Sequence, residues 1–264
     1  MISEQIEIND HQINMVAYGP PVGQVVVLLH HGLGSIRSWD AQVHALAAAG
    51  YRVLAYDRWG YGGSDPRPQL SAPLFADDIQ DLRALIAHLG TTGVGLVGHS
   101  DGGTIALYYA ARYPEQVDSL VTVAAHIYVE VKMTHGIEGV RQAYESESRL
   151  RESRLRAGMR RLHGEKTEDV FWNWYHGWTK AENLAWDMRP TLGRVTCPAL
   201  VVQGENDEHA APQHAMEIAA AISGSELWLV PGAGHMLPQE QPLLFNQRVL
   251  DFIKLVYRES VNVQ

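Results

Sequence analysis

Short apolar runs alternate with longer amphipathic segments along most of the chain. Continuous apolar runs of this kind are typical of strands with both faces buried in a parallel sheet. Two earlier segments alternate apolar and polar residues, which predicts an antiparallel hairpin at one edge of that sheet. The hairpin segments are Gln5–Asn9 and Gln12–Tyr18, and the six runs are Val25–Leu29, Arg52–Tyr56, Val94–Val97, Ser119–Ala124, Ala199–Val202 and Leu227–Val230.

Helical patterns fill the intervals between these runs. Ser71 is a suitable N-cap for the second predicted helix, and Gly50 and Gly90 are suitable stop signals for the first and second. Repeated strand–helix–strand order indicates an open α/β sheet with helices on both faces. The predicted helices are Trp39–Ala49, Ala72–Leu89, Asp101–Arg112, Pro212–Ile222 and Pro242–Tyr257.

The segment from His126 to Met188 departs from this alternation because it has no strand pattern, and it holds four of the seven tryptophans. Between Arg141 and Lys166 there are eight bases and four acids, while Leu155, Met159 and Leu162 recur at helical spacing. We therefore expect an amphipathic helix whose arginines form a solvated face. A docking surface and the anion-attracting rim of a pocket are the alternatives.

Composition narrows the classes of function. A net charge of −9 over 264 residues repels a phosphate backbone, so nucleic acid is not an expected partner. Cys197 is the only cysteine, which excludes an intrachain disulfide and a cysteine-based zinc site.

The longest aliphatic run, Val25–Leu29, is far shorter than the ~18 residues of a membrane span, and the acidic N-terminus does not resemble a signal peptide. We expect a cytoplasmic protein, and no pattern indicates its oligomeric state.

Gly98-His99-Ser100-Asp101-Gly102 fits the pattern G-x-S-x-G, with an apolar run before it and a helical pattern after it. This context predicts a nucleophile elbow, a strained strand-to-helix turn that exposes the serine above the sheet. Glycines are needed there because side chains on either side of the turn would clash. The alternative is an ordinary turn in which Ser100 only caps the helix.

A serine hydroxyl needs a base, and the base needs a group that orients it. His235 follows the last predicted strand and Asp207 follows the strand before it. With Ser100, both come just after the carboxyl ends of predicted strands, where open α/β sheets place their sites. Glu205 and Glu208 remain alternatives to Asp207 as the orienting group.

Taken together, these residues resemble the α/β-hydrolase family, in particular its lid-containing serine hydrolases of the carboxylesterase type. The resemblance implies a mostly parallel eight-stranded sheet with helices on both faces. It also implies a core of residues 1–125 and 189–264, with a helical lid of residues 126–188 inserted after strand six. The matching residues are His31–Gly34, Trp39, Asp57, Gly60, Gly62, Ser64, Gly98–Gly103, Gly204, Asp207 and Gly234–His235.

The resemblance also assigns roles within the site. It implies a catalytic triad of Ser100, Asp207 and His235, and an oxyanion hole made by the backbone N–H groups of Leu33 and Asp101. The acidic Asp101 is less usual than an apolar residue beside the nucleophile. Its carboxylate is expected to be stabilised by the helix N-terminus, with contact to substrate as the alternative.

The loop before Leu33 carries His30 and His31, whose imidazoles are expected to brace it by hydrogen bonds. Two further departures from relatives are Trp59, where many have Arg, and Met236, where hydrolases of carbon–carbon bonds often have Trp.

The expected activity is hydrolysis of carboxylic esters of small to medium apolar substrates through an acyl-enzyme on Ser100. The expected partners are a small-molecule ester and water, with no cofactor and no metal. Tyr128, Trp174 and Trp178 are candidates for the wall of an apolar substrate pocket. Lactones, thioesters and carbon–carbon bonds are alternatives for the same triad, and a low-turnover receptor for small ligands is an alternative outside catalysis.

Overall fold

Eight strands form a single sheet in the computed structural model, which describes residues 2–146 and 153–262. The strand order is β1-β2-β4-β3-β5-β6-β7-β8. The β1–β2 and β2–β4 pairs are antiparallel and the other pairs are parallel, so the predicted fold class is confirmed. The strands are β1 (Ile2–Ile8), β2 (His11–Tyr18), β3 (Val25–Leu29), β4 (Arg52–Tyr56), β5 (Val94–His99), β6 (Val117–Val123), β7 (Ala199–Gly204) and β8 (Glu226–Val230).

Ten α-helices lie in the described part of the chain. They are α1 (Asp40–Ala48), α2 (Ala76–His88), α3 (Asp101–Arg112), α4 (Val131–Glu145), α5 (Arg154–His163), α6 (Thr167–Thr179), α7 (Arg189–Leu192), α8 (Pro212–Ala221), α9 (Leu237–Glu240) and α10 (Pro242–Asn262). Within the residues described, none of these helices is long and apolar enough to cross a membrane.

Two helix boundaries differ from the sequence prediction by more than one residue. Helix α2 begins at Ala76 instead of Ala72, because Phe75 has a left-handed backbone with φ of +49° and no helix can run through it. Helix α10 continues past Tyr257 to Asn262, five residues beyond the last aromatic position of its apolar pattern. Both errors lie at element ends, where local patterns carry the least information.

Both faces of the sheet are buried, and β3 shows this most directly. Val25, Val27 and Leu29 belong to one apolar cluster, which includes α2, α3 and α8. Val26 and Leu28 belong to the other, which includes α1 and α10. Because successive side chains of a strand point to opposite faces, an uninterrupted apolar run requires cover on both sides, and the two helix layers supply it.

Helices α4, α5 and α6 lie between β6 and β7, and we call them the helical insert. The two ends of the segment that joins β6 to β7 lie side by side. Tyr128 pairs with Asp187 in an antiparallel bridge, and the N–H of Met188 donates to the carbonyl of Ile127 at 2.8 Å. The insert has its own apolar cluster, which also contains Tyr61 of the β4–α2 loop. It therefore packs on the sheet domain through that loop.

Asp57, which directly follows β4, joins three separate segments. Its buried carboxylate accepts hydrogen bonds from the N–H of Ile36 at 2.7 Å, the N–H of Gly63 at 2.8 Å and Nδ2 of Asn14 at 2.8 Å. Gly62 allows this approach, because a Cβ there would lie 2.1 Å from the Asp57 carboxyl group and its φ is +44°. The loop after β4 is thereby fixed against the loop after β3.

We expect Gly62→Ala to lower the free energy of unfolding by about 2–4 kcal/mol, because the added Cβ must displace Asp57 and adopt a positive φ. Urea-induced unfolding measures the change. Gly139→Ala is the control: Gly139 lies inside α4 with open space around its Cα, so alanine there should be neutral or stabilising by up to about 1 kcal/mol. Equal effects of the two substitutions would contradict the role assigned to Gly62.

Candidate active site

Ser100 occupies a strained turn between β5 and α3, with φ of 55° and ψ of −119°. The turn passes so close to its neighbours that side chains are excluded on either side. A Cβ on Gly98 would lie 2.2 Å from the Gly102 carbonyl oxygen, and one on Gly102 would lie 2.2 Å from the Leu29 carbonyl oxygen. The N–H of Ser100 donates to the carbonyl of Val123 at 2.8 Å. This is the geometry of a nucleophile elbow, with the serine above the carboxyl edge of the sheet.

Asp207, just past β7, is buried and accepts four hydrogen bonds. Oδ2 accepts from Nδ1 of His235 at 2.8 Å and from Nε2 of Gln203 at 2.7 Å. Oδ1 accepts from the N–H groups of His209 at 2.7 Å and Ala210 at 2.9 Å. Burial alone would raise the pKa of Asp207, but the contact with His235 and the two N–H donors hold that pKa well below its ordinary value. The carboxylate is therefore ionised at neutral pH.

The ring of His235 is positioned through its side chain and its backbone. Because Nδ1–H donates to Asp207, Nε2 is left with the free lone pair; this tautomer is assigned from the hydrogen-bond partners. The N–H of His235 donates to Oε2 of Glu208 at 3.1 Å, and its carbonyl accepts from Nε2 of His99 at 2.9 Å. Of the three acids weighed from the sequence, Asp207 contacts the ring and Glu208 contacts the backbone, whereas Glu205 is exposed.

The loop after β3 is braced by its histidines, in agreement with the structural role expected for them. Nε2 of His30 accepts from the N–H of Arg58 at 3.1 Å, and Nδ1–H donates to the carbonyl of His31 at 2.8 Å. Burial holds the pKa of both imidazoles well below the usual range, so both are neutral. His163 of α5 adds a contact that the sequence did not indicate, since its Nε2–H donates to the carbonyl of Leu33 at 3.1 Å.

Leu33 and Asp101, the predicted oxyanion donors, line the same cavity as Ser100. Asp101 is the first residue of α3, so its N–H has no acceptor within the helix. Their joint role as oxyanion donors stays a prediction.

The carboxyl group of Asp101 is buried and has partners that neither sequence interpretation included. Oδ1 accepts from Nε1 of Trp178 in α6 at 3.1 Å, and Oδ2 lies 3.6 Å from a guanidinium nitrogen of Arg58. Burial raises the pKa of Asp101 to about 6, with Arg58 acting in the opposite direction. Arg58 also contacts Asp78 at 3.1 Å and lies over the ring of Tyr61. The only feature of the sequence that could have indicated Arg58 is its position, as a charged residue just past a buried strand.

A cavity of about 900 Å³ opens beside Ser100 and His235. Trp174 and Trp178 line it as expected, but Tyr128 is not among the described residues around it. Tyr128 instead stacks on His214 with ring centroids 4.2 Å apart, because the bridge to Asp187 holds it at the base of the insert. Apolar side chains of the insert supply much of the wall: Met133, Ile137, Val140, Leu155, Met159 and Leu162.

Two further histidines lie near His235 and were not predicted. Burial lowers the pKa of His126 to about 3 and also lowers that of His209, so both are neutral at neutral pH. The His209 ring meets that of His235 edge-on with centroids 4.8 Å apart. The signal that could have found His209 is its position two residues after Asp207, on the same loop.

The pKa of Asp101 makes stability depend on pH. Because the folded-state pKa of about 6 lies above the ordinary value of an aspartate, ionisation opposes folding, and stability is lost as pH rises from about 4 through about 6. Asp101→Asn removes this titration. We expect the free energy of unfolding of the variant, relative to the parent, to increase by up to about 3 kcal/mol between pH 4 and pH 7. Urea unfolding at both pH values measures it, and a pH-independent difference would contradict it.

Comparison with known proteins agrees with the fold. Residues 26–248 match the family model described as "Alpha/beta hydrolase family". The chain is 32% identical over 261 residues to Serine hydrolase BPHL of Homo sapiens, covering 96% of this chain and 86% of that protein. It is 28% identical over 255 residues to the bifunctional esterase/perhydrolase DCH of Acinetobacter calcoaceticus, covering 87% and 91%. The enol-lactonase structure from Burkholderia xenovorans LB400 is similar in fold, with TM-score 0.77, 23% identity and coverage of 95% and 100%.

Proposed function

Since the chain belongs to the alpha/beta hydrolase family, we propose that it is a serine hydrolase that cleaves carboxylic esters of small to medium apolar substrates. The observation that carries this proposal is the 2.8 Å contact between His235 Nδ1 and the ionised Asp207, beside an elbow serine that lines the same apolar cavity. The printed names of two relatives, a serine hydrolase and an esterase/perhydrolase, support the same class.

In the first half-reaction, Oγ of Ser100 attacks the ester carbonyl while Nε2 of His235 takes the hydroxyl proton. Asp207 stabilises the imidazolium that forms and keeps the ring in the required tautomer. The backbone N–H groups of Leu33 and Asp101 bind the oxyanion. His235 then protonates the leaving alcohol, and the acyl group remains on Ser100.

In the second half-reaction, His235 removes a proton from water, and the resulting attack on the acyl-enzyme releases the carboxylic acid. The proton returns to Ser100, so each turnover consumes one ester and one water. Substrate and water are the partners that this reaction needs.

The division of the chain follows from the same proposal. Residues 1–125 and 189–264 form the catalytic core, and residues 126–188 form a lid that covers Ser100. The aliphatic wall and the indoles of Trp174 and Trp178 would bind the apolar part of the ester by excluding water from it.

Hydrolysis of a series of 4-nitrophenyl esters, from acetate to decanoate, tests the assignment of the nucleophile. We expect sustained turnover in the parent and a loss of at least about 10³-fold in kcat/KM for Ser100→Ala, since no other group replaces the hydroxyl. Ser225→Ala, a serine outside the cavity lining, is the control and should match the parent. Absence of turnover, or equal rates for parent and Ser100→Ala, would overturn the proposal.

A second pair of variants separates the two acids beside His235. Asp207→Asn should lower kcat about 10³- to 10⁴-fold, because an amide cannot stabilise the imidazolium. Glu208→Gln keeps an oxygen acceptor for the His235 N–H, so kcat should stay within about threefold of the parent. Circular dichroism establishes that both variants are folded before kinetics are compared. A larger loss in Glu208→Gln than in Asp207→Asn would reverse the assignment.

A further inference from the structure

Three arginines line the cavity that contains Ser100: Arg37 from the loop after β3, and Arg154 and Arg161 from α5. All three are exposed. Within residues 2–146 and 153–262, none of them forms an ion pair or a hydrogen bond with a carboxylate. The cavity wall thus carries three positive charges that no acid within these two ranges contacts.

Several arginines elsewhere on the surface behave differently, because each contacts at least one carboxylate. Arg156 belongs to the same helix as Arg154 and Arg161, yet its Nε donates to Glu168 at 2.8 Å. The lack of a partner therefore does not come from a shortage of acids near α5. The other paired arginines are Arg141 with Glu138, Arg189 with Asp187, and Arg248 with Glu226.

The acids that do line the cavity are already engaged. Asp101 is bonded to Trp178 and faces Arg58, and Glu208 accepts from the N–H of His235. The whole chain has a net charge of −9, so a positive cavity wall stands out against an acidic protein. A cleft of one charge sign concentrates ligands of the opposite sign.

The sequence of α5 places two of these arginines on one face. Arg154, Gly158 and Arg161 are spaced by four and three residues, so they fall on the same side of the helix, and all three line the cavity. Gly158 leaves the space beside the Arg161 guanidinium free of a side chain; a Cβ there would lie 3.8 Å from Nη2 of Arg161. Leu155 and Leu162, expected from the sequence on the face opposite the arginines, line the same cavity.

We propose that the substrate ester carries a carboxylate at the end of its acyl chain, and that Arg154 and Arg161 bind this group while Arg37 adds to the attraction. This inference rests on the proposed esterase function and names its substrate class: half-esters of aliphatic dicarboxylic acids. Arginine suits the task because its planar guanidinium can donate two hydrogen bonds to one carboxylate. The aliphatic side chains that line the same cavity suit the methylene chain of such an acid.

Two esters of equal acyl length test the proposal: mono-4-nitrophenyl suberate, which has a free carboxylate, and 4-nitrophenyl octanoate, which has none. We expect kcat/KM to be about tenfold higher for the suberate in the parent. Added salt should lower kcat/KM for the suberate only, because salt screens exposed charges. The double variant Arg154→Gln/Arg161→Gln should lose about tenfold on the suberate and stay within about twofold on the octanoate.

Arg160→Gln is the control, since Arg160 lies on the same helix outside the cavity lining and its replacement removes one arginine charge from α5 without changing the cavity wall. It should leave both esters unaffected. Equal losses on the two esters in the double variant, or a parent that prefers the octanoate, would overturn the proposal while leaving the esterase function intact.

Failure of the esterase function itself is recognised separately, by the absence of Ser100-dependent turnover of either ester. In that case, calorimetric titration of the Ser100→Ala protein with monomethyl suberate and with methyl octanoate still decides the question. Binding of the charged ester that is lost in the Arg154→Gln/Arg161→Gln background supports the carboxylate site. No binding of monomethyl suberate overturns it.

Discussion

The close passage of the β5–α3 turn over the end of β3 constrains every other part of the site. At Gly102 the backbone lies so near the Leu29 carbonyl that no side chain fits, and Ser100 must take a positive φ to complete the turn. Because β5 lies between β3 and β6, the strained residue is held from both sides by the sheet. The remaining groups arrive at the same edge: the loop after β3 brings Leu33, and the loops after β7 and β8 bring Asp207 and His235.

Beneath this turn, a chain of buried charges connects the site to α2. Asp101 faces Arg58, Arg58 contacts Asp78, and Asp78 also binds Arg67 at 2.8 Å. Burial raises the pKa of Asp78, but Arg67 and Arg58 outweigh that effect and lower it. Replacing one member would leave a buried charge without its partner. The free-energy cost of that unpaired charge is far larger than the net stabilisation that the intact network provides. Trp178 joins the helical insert to this network through Asp101, so contacts around Ser100 also fix the insert.

The sequence predicted those features that depend on neighbours along the chain. Val25–Leu29 indicated a strand buried on both faces, and the glycines around Ser100 indicated the elbow. Several contacts between distant segments were missed. Arg58 becomes part of the site only because β4 ends beside α3, and Arg154 faces the cavity only because α5 is turned toward it. Helical periodicity shows which residues share a face, but it does not show what that face meets.

The antiparallel bridge between Tyr128 and Asp187 closes the insert at its base, so the chain leaves the sheet and returns to it at nearly the same point. A segment whose ends already lie together can change in length without moving the strands that flank it, and the entropy of closing a longer loop grows only slowly. The walls of the cavity can therefore diverge during evolution wherever the contact between Trp178 and the buried Asp101 is kept. Exchange of the segment between relatives would alter which molecules fit while leaving Ser100, His235 and Asp207 in place.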